Sequence, residues 1–171
     1  MKLSAGVEGL SVRPDVPSGL QYIHPGQTLT TREPKRLTTI LGSCVAVCLW
    51  DAASRVGGMN HYLIAEWLRE GPGSDRYGNI AMESLIRGMR EHGARLAGLR
   101  AGVYGGAAVL QAFRETAFRN LGMKNADIAR DILRQHRIPI ADEQTGGDAS
   151  RKIVFDTADG HVAVSRIGAP Q

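Results

Sequence analysis

The chain has 171 residues, a formal net charge of +4 and an apolar fraction of 43%, as expected for one globular domain with a full core. Two cysteines are too few for a disulfide scaffold, and no run of about 18 apolar residues could span a membrane. Aromatic residues make up only 5% of the chain and the basic residues are scattered, which argues against a nucleic-acid surface. The first residues lack the apolar core of a signal peptide, so we expect a cytoplasmic protein without a membrane-inserted segment.

The N-terminal part of the chain is rich in proline. Four of the seven prolines lie before residue 36, with few apolar clusters between them. This composition predicts a partly ordered arm over residues 1–35, with a turn at residues 24–27. We expect the remaining residues, 36–171, to form a single domain.

Residues 44–50 form a run that is apolar on both of its alternating faces. This pattern predicts a strand that lies between two layers. Turn-forming residues follow at 51–54, and a second strand-like run covers residues 55–64, so the two runs predict a β-hairpin. Gly57-Gly58 inside the second run predicts either a β-bulge or the close approach of another backbone.

Helices and strands alternate through the rest of the chain. An apolar stripe predicts a helix over residues 79–92, with Asn79 as its N-cap. A strand follows at 99–109, a second helix begins near Asn125, and a short strand lies around 138–142. Asp159-Gly160 divides residues 151–167 into a second hairpin. These elements predict an α/β domain with largely antiparallel sheet and two main helices on one side.

Both cysteines lie in the first strand-like run. Cys44 directly follows Gly42-Ser43, and Cys48 lies four residues further on. Residues four apart on a strand are about 13 Å from each other, whereas a disulfide requires Cα atoms within about 7 Å. We therefore expect two reduced thiols, with Cys48 in a structural position and Cys44 presented by the turn.

His61 is the candidate partner of Cys44. If Ala52-Ala53 is a two-residue turn, Cys44 lies directly opposite His61 with Cβ atoms about 5 Å apart, although a slip of one residue would separate them. An imidazolium beside a thiol lowers the thiol pKa. Backbone N–H groups after Gly42-Ser43 could hold a developing oxyanion, so the arrangement suits acyl transfer from an amide.

Simpler explanations exist for each of these residues. Most buried cysteines are structural, and a histidine among apolar neighbours is often a core residue. Cys44, Cys48 and His61 could in principle bind zinc, but no fourth ligand lies at a suitable spacing. The glycine-rich segment 102–107 lacks the Lys-Ser/Thr that would follow in a phosphate-binding loop, so a tight turn is the simpler explanation.

Several short segments occur in one order along the chain and together carry a resemblance to a known family. They are LGSCVAVCLWD, GGMNHYLI, RYGNIAMESLI, VYGGA, NLGMKN and TGG…RK. From about Leu37 to Val164 the sequence resembles the chemoreceptor glutamine deamidase family, CheD. The combination of LGSC with GGMNH is highly specific, whereas each glycine motif alone is weak.

The resemblance implies a fold and a set of site residues. The fold would be a three-layer α/β/β sandwich. Cys44 would be the nucleophile and His61 the general base and acid, with Gly42 and Ser43 supporting the oxyanion. The family also has a threonine six positions before the cysteine, which corresponds to Thr38 and would orient the histidine or polarise the site. Thr39 is the alternative if the alignment shifts by one residue.

The resemblance also implies an activity and partners. The chain would hydrolyse particular glutamine side chains of methyl-accepting chemoreceptor cytoplasmic helices to glutamate and ammonia, in chemotactic adaptation, without a metal or organic cofactor. Some family members bind a CheC-type phosphatase, which is a possible second partner. We expect a monomer. The alternatives are a non-catalytic adaptor that binds receptors or the phosphatase, and a related acyl-transfer enzyme such as a transglutaminase or thiol protease.

Overall fold

The structure is a computed structural model that describes residues 19–108 and 119–168. In this part of the chain, nine β-strands and two α-helices follow in the order β1 (Leu20–Tyr22), β2 (Gln27–Thr31), β3 (Arg36–Leu41), β4 (Val45–Asp51), β5 (Val56–His61), α1 (Gly78–Glu91), β6 (Leu99–Gly105), α2 (Arg119–Gln135), β7 (Ile140–Thr145), β8 (Ser150–Asp156) and β9 (Val162–Ile167). A single 3₁₀ turn, Leu96–Gly98, precedes β6.

The strands form two mixed sheets. One sheet has the order β1-β3-β8-β9 and the other the order β2-β5-β4-β6-β7. The β1–β3 and β6–β7 pairs are parallel, and the other pairs are antiparallel. The chain therefore has the α/β class that the sequence predicts, with sheets that are largely antiparallel.

The core consists of two apolar layers that share the five-stranded sheet. Val45, Val47 and Leu49 of β4 pack with residues of both helices on one face of this sheet. Ala46 and Cys48 point to the other face and pack with residues of the four-stranded sheet. The alternation of β4 therefore places it in the middle layer, as its two apolar faces predict. No helix in the described ranges is long and apolar enough to cross a membrane.

Residues 20–31, which the sequence analysis assigned to an arm, contribute strands to both sheets. β1 lies beside β3 at the edge of the four-stranded sheet, and β2 lies beside β5 at the edge of the other. Ile23, between them, is only 2% exposed. Residues 1–18 lie outside the described part of the chain.

The register of the β4–β5 hairpin differs from the predicted one. Asp51 pairs with Val56 instead of Ser54, so the loop has four residues, 52–55, instead of two. The carboxylate of Asp51 explains the longer loop, because it accepts hydrogen bonds from the Ala53 N–H at 3.1 Å and the Ser54 hydroxyl at 2.7 Å. Asp and Asn side chains commonly organise turns in this way.

Of two further details, the first matches one of the two predicted alternatives and the second differs from the prediction. Gly57 and Gly58 continue the regular ladder of β5 without a bulge; a Cβ on Gly57 would lie 2.8 Å from the Cβ of Thr157, so the close approach is the reason for this glycine. Helix α1 has Tyr77 as its N-cap. Asn79 instead holds the preceding loop, since its Oδ1 accepts the Trp67 N–H at 2.9 Å.

Candidate active site

Cys44 lies in the bend between β3 and β4, and the carbonyl groups of this bend are held by two other segments. Cys44 is a free, half-buried thiol, and Cys48 is free and buried. The carbonyls of residues 42, 43 and 44 accept hydrogen bonds from Ala107 N (2.8 Å), Asn125 Nδ2 (3.0 Å) and Gly106 N (2.8 Å), respectively. Residues more than sixty positions away therefore fix the backbone that carries the thiol.

Fixed carbonyls also fix the neighbouring N–H groups. In a trans peptide unit the C=O and the N–H point in opposite directions. The bonds made by the carbonyls of Gly42 and Ser43 therefore set the directions of the Ser43 and Cys44 N–H groups. Such preorganised donors are what an oxyanion site requires.

His61 lies at the end of β5 and is 1% exposed. Its Nδ1 is 2.9 Å from the hydroxyl oxygen of Thr39 and 3.2 Å from the carbonyl oxygen of Ile23. The Thr39 hydroxyl donates to the same Ile23 carbonyl at 2.8 Å. A carbonyl can only accept and the hydroxyl proton is already used, so Nδ1 must carry the ring proton. The other nitrogen, Nε2, is then a proton acceptor.

Nε2 of His61 is buried and has no hydrogen-bond partner among residues 19–108 and 119–168. The register that pairs Cys48 with Met59 recurs at the Val45–Tyr62 bridge, and this offset places His61 opposite Ala46. The predicted direct pairing of Cys44 with His61 is therefore wrong. Because the register shifts by two residues, both side chains keep the same face of the sheet and become diagonal neighbours, with Cα atoms about 7–8 Å apart.

The structure places Thr39, and not Thr38, against the histidine. Leu37, Thr39 and Leu41 alternate on the face of β3 that points to the five-stranded sheet. Thr38 is on the opposite face, and its hydroxyl donates to the carbonyl of Ile153 at 2.8 Å. The contact with Nδ1 of His61 is therefore made by Thr39, the alternative that the sequence analysis left open.

Burial favours the neutral forms of both Cys44 and His61. Desolvation raises the pKa of the Cys44 thiol above its ordinary value of 9.0, although its backbone hydrogen bond acts in the opposite direction. Desolvation lowers the pKa of His61 below 6.5, opposed by the Ile23 carbonyl and assisted by the charge of His24. Burial thus favours a thiol and a neutral imidazole at neutral pH, whereas the sequence analysis suggested a thiolate–imidazolium pair.

Asn125 is a site residue that the sequence analysis missed. It is fully buried in α2, and its Nδ2 donates to the carbonyls of both Ser43 and Leu63. The Tyr62 hydroxyl donates to the carbonyl of Asn125. Asn125 therefore ties the bend before β4 to the segment after β5. The sequence analysis placed the start of this helix near Asn125, whereas α2 begins at Arg119, so the available signal was only the place of Asn125 in the quoted NLGMKN segment.

A groove of about 490 Å³ lies beside these residues. Residues 64–66 form one wall, and Leu121, Lys124 and Ile128 of α2 form the other. The groove is adjacent to the site because Asn125 lies within the same turns of α2 and contacts Leu63.

Within residues 19–108 and 119–168, the structure contains no group of three His, Cys, Asp or Glu side chains that could hold a metal ion.

Comparisons with known proteins agree with the sequence motifs. The family described as CheD chemotactic sensory transduction matches residues 54–166, a range that includes His61 and begins after Cys44. A probable chemoreceptor glutamine deamidase CheD 1 of Anaeromyxobacter dehalogenans is 44% identical over 85% of this chain and 84% of its own length. Probable CheD deamidases of Trichlorobacter lovleyi and Sulfurimonas denitrificans are 40% and 38% identical, covering 85% and 86% of this chain and 89% and 94% of their own lengths. The chain belongs to the CheD family.

Proposed function

We propose that this protein is a chemoreceptor glutamine deamidase in which Cys44 is the nucleophile and His61 is the general base and acid. The observation that carries the proposal is the state of His61. Its Nδ1 is bound by Thr39 and Ile23, while its buried Nε2 has no partner in the part of the chain that the structure describes and lies on the face shared with Cys44. The names of the relatives support the substrate class.

The first half of the reaction forms a thioester. As the Cys44 sulfur attacks the carbon of the glutamine carboxamide, Nε2 of His61 takes the thiol proton. The N–H groups of Ser43 and Cys44 stabilise the oxyanion of the tetrahedral intermediate, with Gly42 holding the bend through Ala107. The carbon–nitrogen bond then breaks, and the imidazolium returns the proton to the departing ammonia.

The second half releases glutamate. His61 removes a proton from a water molecule, and the resulting hydroxide attacks the thioester carbon. The carbon–sulfur bond breaks, and the protonated His61 returns a proton to the sulfur of Cys44. The water oxygen remains in the product carboxyl group, so the enzyme ends in its starting state. The Thr39 hydroxyl supports the imidazolium at each stage, because it accepts a hydrogen bond from Nδ1.

The substrate and partners follow from the same assignment. The cytoplasmic helices of methyl-accepting chemoreceptors supply the glutamine, and its conversion adds a negative charge that later serves as a methyl-esterification site. The protein acts in the cytoplasm as a monomer, and a CheC-type phosphatase is a candidate second partner. The groove between residues 64–66 and α2 provides room for a substrate segment next to the site.

Mass spectrometry of a receptor cytoplasmic fragment tests this proposal. After incubation with the protein, we expect particular glutamines to become glutamates, with release of ammonia. In water containing heavy oxygen, the label must enter the new carboxyl group. An unmodified receptor would instead support an adaptor, and an amine adduct or a cleaved chain would support another acyl-transfer reaction.

Substitution of the two adjacent threonines distinguishes their roles. In Thr39→Val the hydroxyl that contacts Nδ1 is lost at nearly constant volume, and we expect the kcat for deamidation to fall roughly tenfold, in line with one hydrogen bond. Thr38→Val removes a hydroxyl that bonds only to the Ile153 carbonyl, so its kcat should stay near that of the wild type. Equal losses in both variants, or a loss only in Thr38→Val, would contradict the assignment.

The pH dependence of kcat/KM follows from the two shifted pKa values. Protonation of His61 abolishes the base, and burial lowers its pKa, so activity should rise with pH along a limb centred below 6.5. It should remain level until Cys44 ionises, above 9.0 because burial raises its pKa. His24→Gln removes a charge that lowers the His61 pKa, so the acidic limb should move to higher pH. A limb that moves to lower pH would refute this electrostatic account.

A further inference from the structure

Arg151 is a buried cation at the end of the sandwich that carries Cys44. It is 6% exposed and pairs with Leu41 across the β3–β8 ladder. On β8 it alternates with Ile153 and Phe155, which point into the layer between the sheets. Burial lowers the pKa of Arg151, and the neighbouring Arg166 contributes in the same direction. Because burying a guanidinium costs free energy, its position calls for a reason.

The guanidinium binds two backbone carbonyls. Nη2 donates to the carbonyl of Gly146 at 2.7 Å, and Nη1 donates to the carbonyl of Gly105 at 3.3 Å. The same Gly105 carbonyl accepts the Gly146 N–H at 2.9 Å. Arg151 therefore joins two glycine turns that belong to different parts of the sequence, and its planar fork is suited to holding two acceptors at once.

The turn of residues 105–107 is in direct contact with the bend that carries Cys44. Gly106 donates to the carbonyl of Cys44 and Ala107 donates to the carbonyl of Gly42. Gly105 has a φ of 109°, and a Cβ there would overlap the carbonyl oxygen of Cys44. The geometry of residues 105–107 is thus transmitted directly to two peptide planes, the one that carries the Ser43 N–H and the one that follows the thiol-bearing Cα of Cys44.

From this chain of contacts, and resting on the proposed deamidase function, we infer that Arg151 is a positioning residue for catalysis. It holds the turn of residues 105–107 against the bend of residues 42–44, and so keeps the Ser43 N–H group in the direction that the oxyanion requires and the Cys44 carbonyl in place. Its effect is on the transition state more than on substrate binding, so its loss should lower kcat with little change in KM.

Arg151→Met tests the inference, with Arg166→Met as the matched control. Arg166 is directly opposite on β9 and exposed, so the control removes the same charge without touching either turn. In Arg151→Met we expect kcat to fall about 10- to 100-fold, since hydrogen bonds to a charged group are lost. Hydrogen exchange of the Gly106 and Ala107 amides should accelerate at least about tenfold, while exchange in the β3–β8 ladder stays slow. The control should change neither.

Arg151→Lys provides a second variant if the methionine variant does not fold. A lysine keeps the charge but lacks the fork, so we expect the same selective exchange at Gly106 and Ala107 with a smaller loss of kcat. Unchanged exchange at these amides, uniform acceleration across the domain, or faster exchange with an unchanged kcat would each overturn the inference. Absence of deamidation by the wild-type protein would instead refute the proposed function, because the exchange measurement does not depend on activity.

Discussion

Cys44→Ala is expected to reduce deamidation of a receptor fragment by at least about 10³-fold, the scale seen when a catalytic nucleophile is removed. The thiol is half-buried and lies in a bend, outside the strands, so its loss should leave the fold intact. The measurement is the rate of ammonia release together with the mass of the receptor fragment, and circular dichroism reports the fold.

Cys48→Ala is the matched control for this experiment. Cys48 is 3% exposed and packs between the sheets, and burial strongly raises its thiol pKa. Its replacement should lower stability by a small amount and leave kcat nearly unchanged. Full deamidation by Cys44→Ala, or loss of activity only in Cys48→Ala, would show that the nucleophile has been misassigned.

His61→Gln is expected to lower kcat by about 10²–10⁴-fold, the range that positioned acid–base groups contribute. Glutamine can still bond to Thr39 or Ile23, but it cannot take the proton of Cys44 or return it to ammonia. KM should change little, because the proposed role of the histidine is proton transfer and not substrate binding. Steady-state kinetics on the receptor fragment separate these two constants.

His136→Gln is a suitable control for the histidine substitution. His136 directly follows α2, and its Nε2 is 3.2 Å from Oε1 of Glu83 in α1. It therefore lies between the two helices and has no contact with the site. Its kinetics should match those of the wild type. A His61→Gln variant with wild-type kcat would exclude His61 as the base, even if Cys44 proved to be the nucleophile.

Local patterns in the sequence were sufficient to predict the layers of this fold. The two apolar faces of β4 required a layer on each side of the strand, and the structure provides helices on one face and a second sheet on the other. The long-range partners of β1 and β2 could not be predicted, because the pairing of an edge strand depends on residues far away in sequence. Proline content suggested an arm where the structure has two short strands.

The register of the β4–β5 hairpin could not be predicted from the pattern of apolar residues. The alternation of β4 and β5 is compatible with loops of two or four residues, since both keep the same faces inward. Only the hydrogen bonds of Asp51 with Ala53, Ser54 and the Arg95 N–H favour the longer loop. Arg95 lies beyond α1, so part of this information is not local. Consequently, the structure has Cys44 and His61 in a diagonal arrangement on one face of the sheet, and not in the predicted direct pairing.

The threonine assignment could have been improved from the sequence alone. Leu37 and Leu41 are apolar and lie an even number of residues from Thr39, so alternation on a strand places all three on one face. The motif spacing of the family pointed to Thr38, which is on the opposite face. The role of Ile23, in contrast, comes from a backbone carbonyl, and no side-chain pattern encodes it.

The charge states of the site depend on burial, which a sequence does not specify. A cysteine near a histidine suggested an ion pair, but both groups are desolvated here and both pKa values move toward the neutral forms. In the proposed mechanism the histidine therefore acts as a base during attack and does not hold a preformed thiolate. This difference is measurable, because the two mechanisms respond differently to pH.

Alkylation of Cys44 by iodoacetamide across a pH series tests the central claim most directly. Mass spectrometry should find one equivalent of label on Cys44 and none on Cys48, with activity lost in proportion to labelling. The labelling rate should rise along the same limb below 6.5 as kcat/KM does, and this limb should vanish in His61→Gln. A labelled protein that still deamidates receptors, or a rate that follows only thiol ionisation above 9.0 in both proteins, would contradict a neutral cysteine activated by His61.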